Sequence, residues 1–88
     1  MKWTVVWQPE AERRLAELWM NSNDRMAITQ ASHALDQALR RSPEIVGESR
    51  DMGRRILLVP PLAVIYTFQP EDRLVKVISV WQFTPPNA

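Results

Sequence analysis

Cysteine is absent from this chain of 88 residues. Its absence excludes disulfide bonds, thiolate catalysis and cysteine-based zinc sites, and it suits a reducing compartment, so we expect a cytoplasmic protein. Histidine is nearly absent as well. The single histidine, His33, has no second histidine or carboxylate at ligand spacing, so we expect a solvated helix residue, no metal site and no cofactor.

Long apolar runs and a strong excess of charge are also missing. No segment approaches the ~20 apolar residues that span a bilayer, and the first ten residues, MKWTVVWQPE, lack the apolar core of a signal peptide. We therefore expect no membrane partner. The formal net charge is only +1, so any anion site must come from local clustering of cations. With 45% hydrophobic and 24% charged residues, the chain is typical of one globular domain over residues 1–88.

Two amphipathic helices are predicted in the first half of the chain. Pro9 suits the first turn of a helix, where its missing N–H costs nothing. An apolar stripe with helical spacing follows at Ala11, Leu15, Leu18 and Trp19. Asp24 is a preferred N-cap for the second helix, and Ser42-Pro43 ends it. The buried stripe of the second helix is predicted at Ile28, Ala31, Leu35, Ala38 and Leu39.

Four strands are predicted around these helices, at residues 2–7, 54–59, 62–68 and 74–83, and the segment 43–53 is predicted as a loop. The order is β-α-α-β-β-β. Short connections make the last three strands a meander, and a helix in each direction makes the second strand antiparallel to the first. The predicted fold class is α+β: an antiparallel sheet with a two-helix hairpin on one face and the other face partly open.

Taken in order, four segments give the chain a family resemblance. They are VVWQPEAERRLAELW, GESR followed by GRRILLV, LAVIYTF, and VKVISVWQF. This set resembles the RelE/ParE toxin superfamily over essentially the whole chain. The resemblance implies a microbial-ribonuclease-like α+β fold and a growth-inhibiting toxin of a type II toxin–antitoxin pair, with a cognate antitoxin as partner. In that superfamily one branch cleaves mRNA on the ribosome without a metal, and the ParE branch poisons DNA gyrase.

The resemblance also assigns expected roles to residues. Metal-free RNA cleavage needs cations that stabilise the charge on the reacting phosphorus, and the planar guanidinium of arginine suits phosphate. Arg55 and Tyr66 match family positions and are the expected catalytic residues. Arg50 and Arg54 precede them and are the expected RNA phosphate-binding residues. Trp81, near the end of the last strand, is expected to line the site.

Two departures from the ribonuclease branch leave the activity open. Ala63 stands where that branch has an arginine, and Gln82 and Phe83 stand where it has a basic or titratable group. The hypotheses are therefore a ribosome-dependent mRNA endonuclease, a ParE-like inhibitor of DNA gyrase, and a catalytically silent module that binds only the antitoxin.

Plainer interpretations of the candidate residues also stand. The arginines form a solvated loop that pairs locally with Glu48 and Asp51, since surface charges contribute little. For Tyr66, the alternative is packing in the core.

Overall fold

Three helices and five strands follow one another in the computed structural model, which describes residues 2–83. The helices are α1 (Pro9–Met20), α2 (Arg25–Arg41) and α3 (Pro43–Val46). The strands are β1 (Thr4–Trp7), β2 (Glu48–Ser49), β3 (Arg55–Val59), β4 (Leu62–Gln69) and β5 (Leu74–Gln82). The α+β class is confirmed. Met1 and residues 84–88 of the predicted domain lie outside the described residues.

The five strands form one sheet in the order β1-β5-β4-β3-β2. The meander β3-β4-β5 is antiparallel as predicted. The prediction of a wholly antiparallel sheet is wrong at one pairing, because β1 runs parallel to β5, with Thr4 opposite Leu74 and Trp7 opposite Val77. Since β3 and β5 point the same way, β1 is also parallel to β3.

The path of α1 explains the parallel pairing. Instead of turning back after β1, α1 continues past the end of that strand and lies beside Ile78, Ser79 and Val80 of β5. Only α2 reverses the chain, and it returns to the start of β1, where the Trp3 N–H donates to the Arg40 carbonyl at 2.8 Å. Because the chain reverses direction once rather than twice between β1 and β3, β3 starts from the same end of the sheet as β1.

The helical signals of the sequence are largely confirmed. Pro9 opens α1, and the Asp24 side chain caps α2 by accepting a hydrogen bond from the Ala27 N–H at 3.1 Å. The predicted stripes supply most of the buried helical residues, namely Ala11, Leu18, Ile28, Ala31, Leu35 and Leu39. These pack against one face of the sheet, where β4 and β5 bury Leu62, Val64, Tyr66, Val75, Val77 and Val80.

Trp19 departs from the predicted stripe, because its side chain is 42% exposed. Its indole N–H donates to the Thr29 hydroxyl of α2 at 3.1 Å. The Arg25 guanidinium lies 4.8 Å from the Trp19 ring centroid and donates to the Trp19 and Met20 carbonyls at 3.2 and 3.0 Å. We call these contacts the Arg25 clasp. It joins the end of α1 to the start of α2.

The segment 43–53, predicted as loop, contains more structure than expected. It holds α3, the two-residue strand β2 and a 3-10 turn at Asp51–Gly53. These elements are too short to produce a hydrophobic period in the sequence. The segment lies at the free side of β3, where Glu48 pairs with Ile56 and Ser49 with Arg55.

The face of the sheet turned away from the helices is called the open face here. On β3, β4 and β5 it carries Ile56, Leu58, Ala63, Ile65, Ser79 and Trp81, and beyond the β-bulge it continues through Thr67 and Lys76, as the strand register shows. Within residues 2–83, no helix combines the length and the apolar character needed to cross a membrane.

Candidate functional site

The predicted arginine cluster divides between the two faces of the sheet. Successive residues of an extended chain point to opposite faces. Arg50 and Arg54 line a concavity on the open face together with Ser49, Asp51, Ile56 and Ile65. Arg55 stands opposite Tyr66 in the β3–β4 pairing, on the face that packs against the helices. The structure therefore does not bring all four candidate residues into one site.

Arg50 and Arg54 differ in their electrostatic partners. Arg50 forms an ion pair with Glu48 at 3.1 Å, and both side chains are more than half exposed. The predicted local pairing is thus confirmed for Arg50. Such an exposed pair contributes at most about 1 kcal/mol, so a phosphate can compete with the Glu48 carboxylate. Arg54 is exposed and forms no ion pair with any other residue in the described range 2–83. It is the more available cation of the two.

The partly buried Arg55 and the buried Tyr66 both form hydrogen bonds with the start of the segment 43–53. Tyr66 is fully buried, and its hydroxyl donates to the Pro43 carbonyl at 2.7 Å. The Nη2 of Arg55 donates to the Gly47 carbonyl. Its Nε is buried and has no hydrogen-bond partner among residues 2–83.

Burial dominates the titration of Tyr66. Desolvation raises the pKa of this phenol above its ordinary value of 10.0, although hydrogen bonding and the positive charge of Arg55 lower it in part. A phenol that is neutral, buried and already donating is poorly placed to take a proton from a substrate. Between the two interpretations of Tyr66, the geometry favours packing over catalysis.

An apolar row crosses the open face beyond the concavity. Leu58, Ala63 and Trp81 stand directly opposite one another on β3, β4 and β5. Leu58 is 52% exposed, and Ala63 is fully buried within the row. Beside it lies a second row of Ile56, Ile65 and Ser79. Neither set of three contains a titratable side chain. The alternation of Ile56 and Leu58 along β3 is the sequence signal that predicts such a face.

One of the residues that depart from the ribonuclease pattern also lies here. Ala63 is at the centre of the apolar row, whereas Gln82, the exposed last residue of β5, pairs with Leu62 and so points to the opposite face. The backbone N–H of Phe83 donates to the Pro61 carbonyl at 2.9 Å. These positions therefore have apolar or neutral groups where the family pattern has an arginine and a basic or titratable group.

A second concavity lies between the two long helices. Trp7, Leu15, Ser32, His33 and Asp36 are among its lining residues. His33 is exposed, as predicted. No group of three or more histidine, aspartate or glutamate side chains within residues 2–83 stands close enough to hold a metal ion.

Comparison with known proteins shows which solved structures share this fold. No protein-family model matches the chain, and no curated protein matches its sequence. Solved structures do match. The toxin–antitoxin complex RelBE2 from Mycobacterium tuberculosis has a chain that is 20% identical, with a TM-score of 0.75 over 93% of this chain and 99% of that one.

Two E. coli structures agree with that match. The isolated RelE toxin is 19% identical, with a TM-score of 0.68 over 97% of this chain and 88% of that chain. A chain of the intact RelBE complex is 20% identical, with a TM-score of 0.67 over 94% and 99%. This chain therefore has the fold found in RelE toxins and their complexes.

Proposed function

We propose that this chain is the toxin of a type II toxin–antitoxin pair, which inhibits growth in the cytoplasm until a cognate antitoxin neutralises it. The whole-length likeness to RelE structures carries this proposal, since two of those structures are complexes with an antitoxin. Exposed apolar surface supports a protein partner. Ile45 is 73% exposed and Met52 is 86% exposed, on the segment beside β3.

The proposed target is ribosome-bound mRNA, which would lie on the open face. Arg54, and Arg50 after release from Glu48, would hold phosphate groups through bidentate hydrogen bonds. Trp81 would offer its ring to an unstacked base. From strand dimensions, Trp81 stands roughly 10 Å across the sheet from Leu58, and Arg54 stands roughly 13 Å along β3 from Leu58. A short single-stranded segment can bridge these positions.

Inhibition of DNA gyrase is the second candidate. The observation that favours it is the apolar row, which holds no group able to move a proton and has Ala63 where the ribonuclease pattern has an arginine. A toxin that acts by binding alone has no need of such a group. In this candidate, Leu58 and Trp81 would contact a protein surface.

The deciding experiment induces the chain alone in a bacterial host and pulse-labels protein and DNA synthesis separately. We expect growth arrest with an early fall in protein synthesis, and primer extension determines whether translated message is also cut. An early fall in DNA synthesis would select gyrase instead. Normal growth with confirmed folded protein would overturn the toxin proposal. Coexpression with the product of a small neighbouring gene should restore growth.

A matched pair of variants assigns the effect to the concavity. Arg54→Ala removes the available cation of the open face and should weaken the arrest. Arg13→Ala removes an exposed cation of α1, beside β5 and away from the concavity, and should leave the arrest unchanged. Equal effects of the two substitutions would contradict a role for Arg54.

A further inference from the structure

We propose that Tyr66 and Arg55 are positioning residues that fasten the segment 43–54, here called the rim segment, to the sheet and so fix Arg50 and Arg54 over the open face. The fastening itself follows from contacts within the chain. The effect of this fastening on activity, through the position of Arg50 and Arg54, rests on the proposed function. The two residues thereby act on the site from the opposite face of the sheet.

The first anchor is the hydrogen bond from Tyr66 to the rim segment. The Tyr66 ring is fully buried among core residues of the sheet, and its hydroxyl donates to the Pro43 carbonyl at 2.7 Å. Pro43 is the first residue of α3 and is itself buried. The rigid aromatic ring therefore ties one end of the rim segment to the core, and this hydrogen bond is electrostatically stronger inside the protein than it would be in water.

The second anchor lies at Gly47, where α3 ends. The Arg55 guanidinium donates to the Gly47 carbonyl, which is the charge-assisted kind of hydrogen bond. A Cβ at position 47 would stand 2.7 Å from the Ile56 carbonyl oxygen and 2.7 Å from the Tyr66 hydroxyl. Glycine is therefore required for the backbone to approach both anchors this closely.

The rest of the rim segment depends on these anchors. After Gly47, β2 pairs with β3 through only two residues, Glu48 and Ser49. The Arg50 N–H then donates to the Arg54 carbonyl at 2.7 Å, which closes the turn that carries both arginines. Within that turn Met52 has a φ of 64° and is 86% exposed, so its side chain adds no packing. Two residues of strand pairing alone would leave the arginines poorly fixed.

The test measures local opening of the rim segment by hydrogen exchange in the full chain. Tyr66→Phe keeps the ring and removes the hydroxyl. We expect backbone amides of residues 48–56 to exchange about tenfold faster in this variant, because opening no longer breaks the anchor. Val75→Ala, a core change in β5 away from the rim segment, is the control for general destabilisation.

The comparison separates positioning from packing. At a similar loss of thermal stability, Val75→Ala should leave exchange at residues 48–56 close to that of the wild type. Gly47→Ala should reproduce the selective increase, because its Cβ displaces the same backbone. An unchanged rate at residues 48–56 in Tyr66→Phe, or a uniform rise over the whole chain, would overturn the proposal.

The activity measurement distinguishes this inference from the proposed function. If the wild type arrests growth, Tyr66→Phe should weaken the arrest more than Val75→Ala does at equal protein level. If the two variants weakened the growth arrest equally, the position of Arg50 and Arg54 would not matter for activity, even if hydrogen exchange rose selectively in Tyr66→Phe. If the wild type does not arrest growth, the toxin proposal fails, and the exchange data still decide whether Tyr66 and Arg55 fasten the rim segment.

Discussion

Replacement of Arg25 by alanine is the sharpest test of how the helical hairpin is held. The α1 helix has no basic residue in its last turn, so its terminal carbonyls lack the favourable charge that a lysine or arginine there would supply. Arg25 of α2 fills that place from the other side of the connection, by donating to the Trp19 and Met20 carbonyls. It also lies over the Trp19 ring at 4.8 Å from the centroid.

The expected loss of stability follows from these contacts. A cation at the end of a helix contributes about 0.3–1 kcal/mol at the surface. A cation–π contact at an exposed site contributes about 0.5–1 kcal/mol. Ordering the long arginine side chain offsets part of this gain. Arg25→Ala should therefore lower the free energy of unfolding by about 1 kcal/mol, and Arg25→Lys should lose less because it keeps the charge.

Urea unfolding followed by far-ultraviolet circular dichroism measures this free energy without depending on Trp19 fluorescence. Arg13→Ala, which removes another exposed cation near α1, should change it by less than about 0.5 kcal/mol. If Arg25→Ala also changed the free energy of unfolding by less than about 0.5 kcal/mol, the Arg25 clasp would contribute nothing to the stability of the hairpin. A double-mutant cycle with Trp19→Leu isolates the ring contact, because the backbone acceptors remain in both backgrounds.

Three further outcomes are expected. Burial raises the pKa of Tyr66 above 10.0, with Arg55 opposing and Glu44 adding to the shift, so the folded state favours the neutral phenol. The stability that this group contributes is present below pH 10.0 and is lost as pH rises through the folded pKa. Ultraviolet titration of this single tyrosine measures the folded pKa, and a midpoint at or below 10.0 would contradict the burial of its hydroxyl. Asp24→Ala removes the cap of α2 and should cost about 1 kcal/mol in urea unfolding, whereas no loss would show that the cap is dispensable. Leu39→Ala empties a fully buried position and should cost about 2–5 kcal/mol, and a loss under about 1 kcal/mol would show that the core collapses around it.

Local signals predicted the helical half of the fold. Pro9 and Asp24 mark the starts of the two long helices because both act within one turn of the backbone. The apolar stripes found the buried residues for the same reason. The prediction for Trp19 on the apolar stripe of α1 was wrong because its ring contacts Thr29 and Arg25, which lie outside its own helix.

Non-local pairing accounts for the errors in the sheet. The parallel contact between β1 and β5 joins residues at opposite ends of the chain, and its direction depends on the path of α1, which no local pattern fixes. The elements α3 and β2 have four and two residues, too few for a periodic signal. Their contacts come from distant parts of the chain: Tyr66 and Arg55 bind the carbonyls of Pro43 and Gly47, and β2 pairs with β3.

The candidate site was predicted only in part, because successive residues at the start of β3 point to opposite faces of the sheet. Arg54 and Arg55 are neighbours in sequence, and β3 begins at Arg55. One side chain lines the open face and the other contacts Gly47. The arginines that are neighbours in sequence are therefore divided in space between an exposed group suited to an anion and a partly buried group suited to holding backbone.

The open face therefore joins two kinds of chemistry that ordinarily serve binding. Its concavity offers Arg54 to a phosphate, and its apolar row offers Leu58 and Trp81 to a base or a protein surface. Cleavage of RNA additionally requires a group that moves a proton at the reacting oxygen, and the apolar row supplies none. Tyr66 has a hydroxyl, but it is buried and donates to Pro43. The apolar row is therefore better equipped to hold a strand than to break it, so affinity for RNA and cleavage of RNA have to be measured separately.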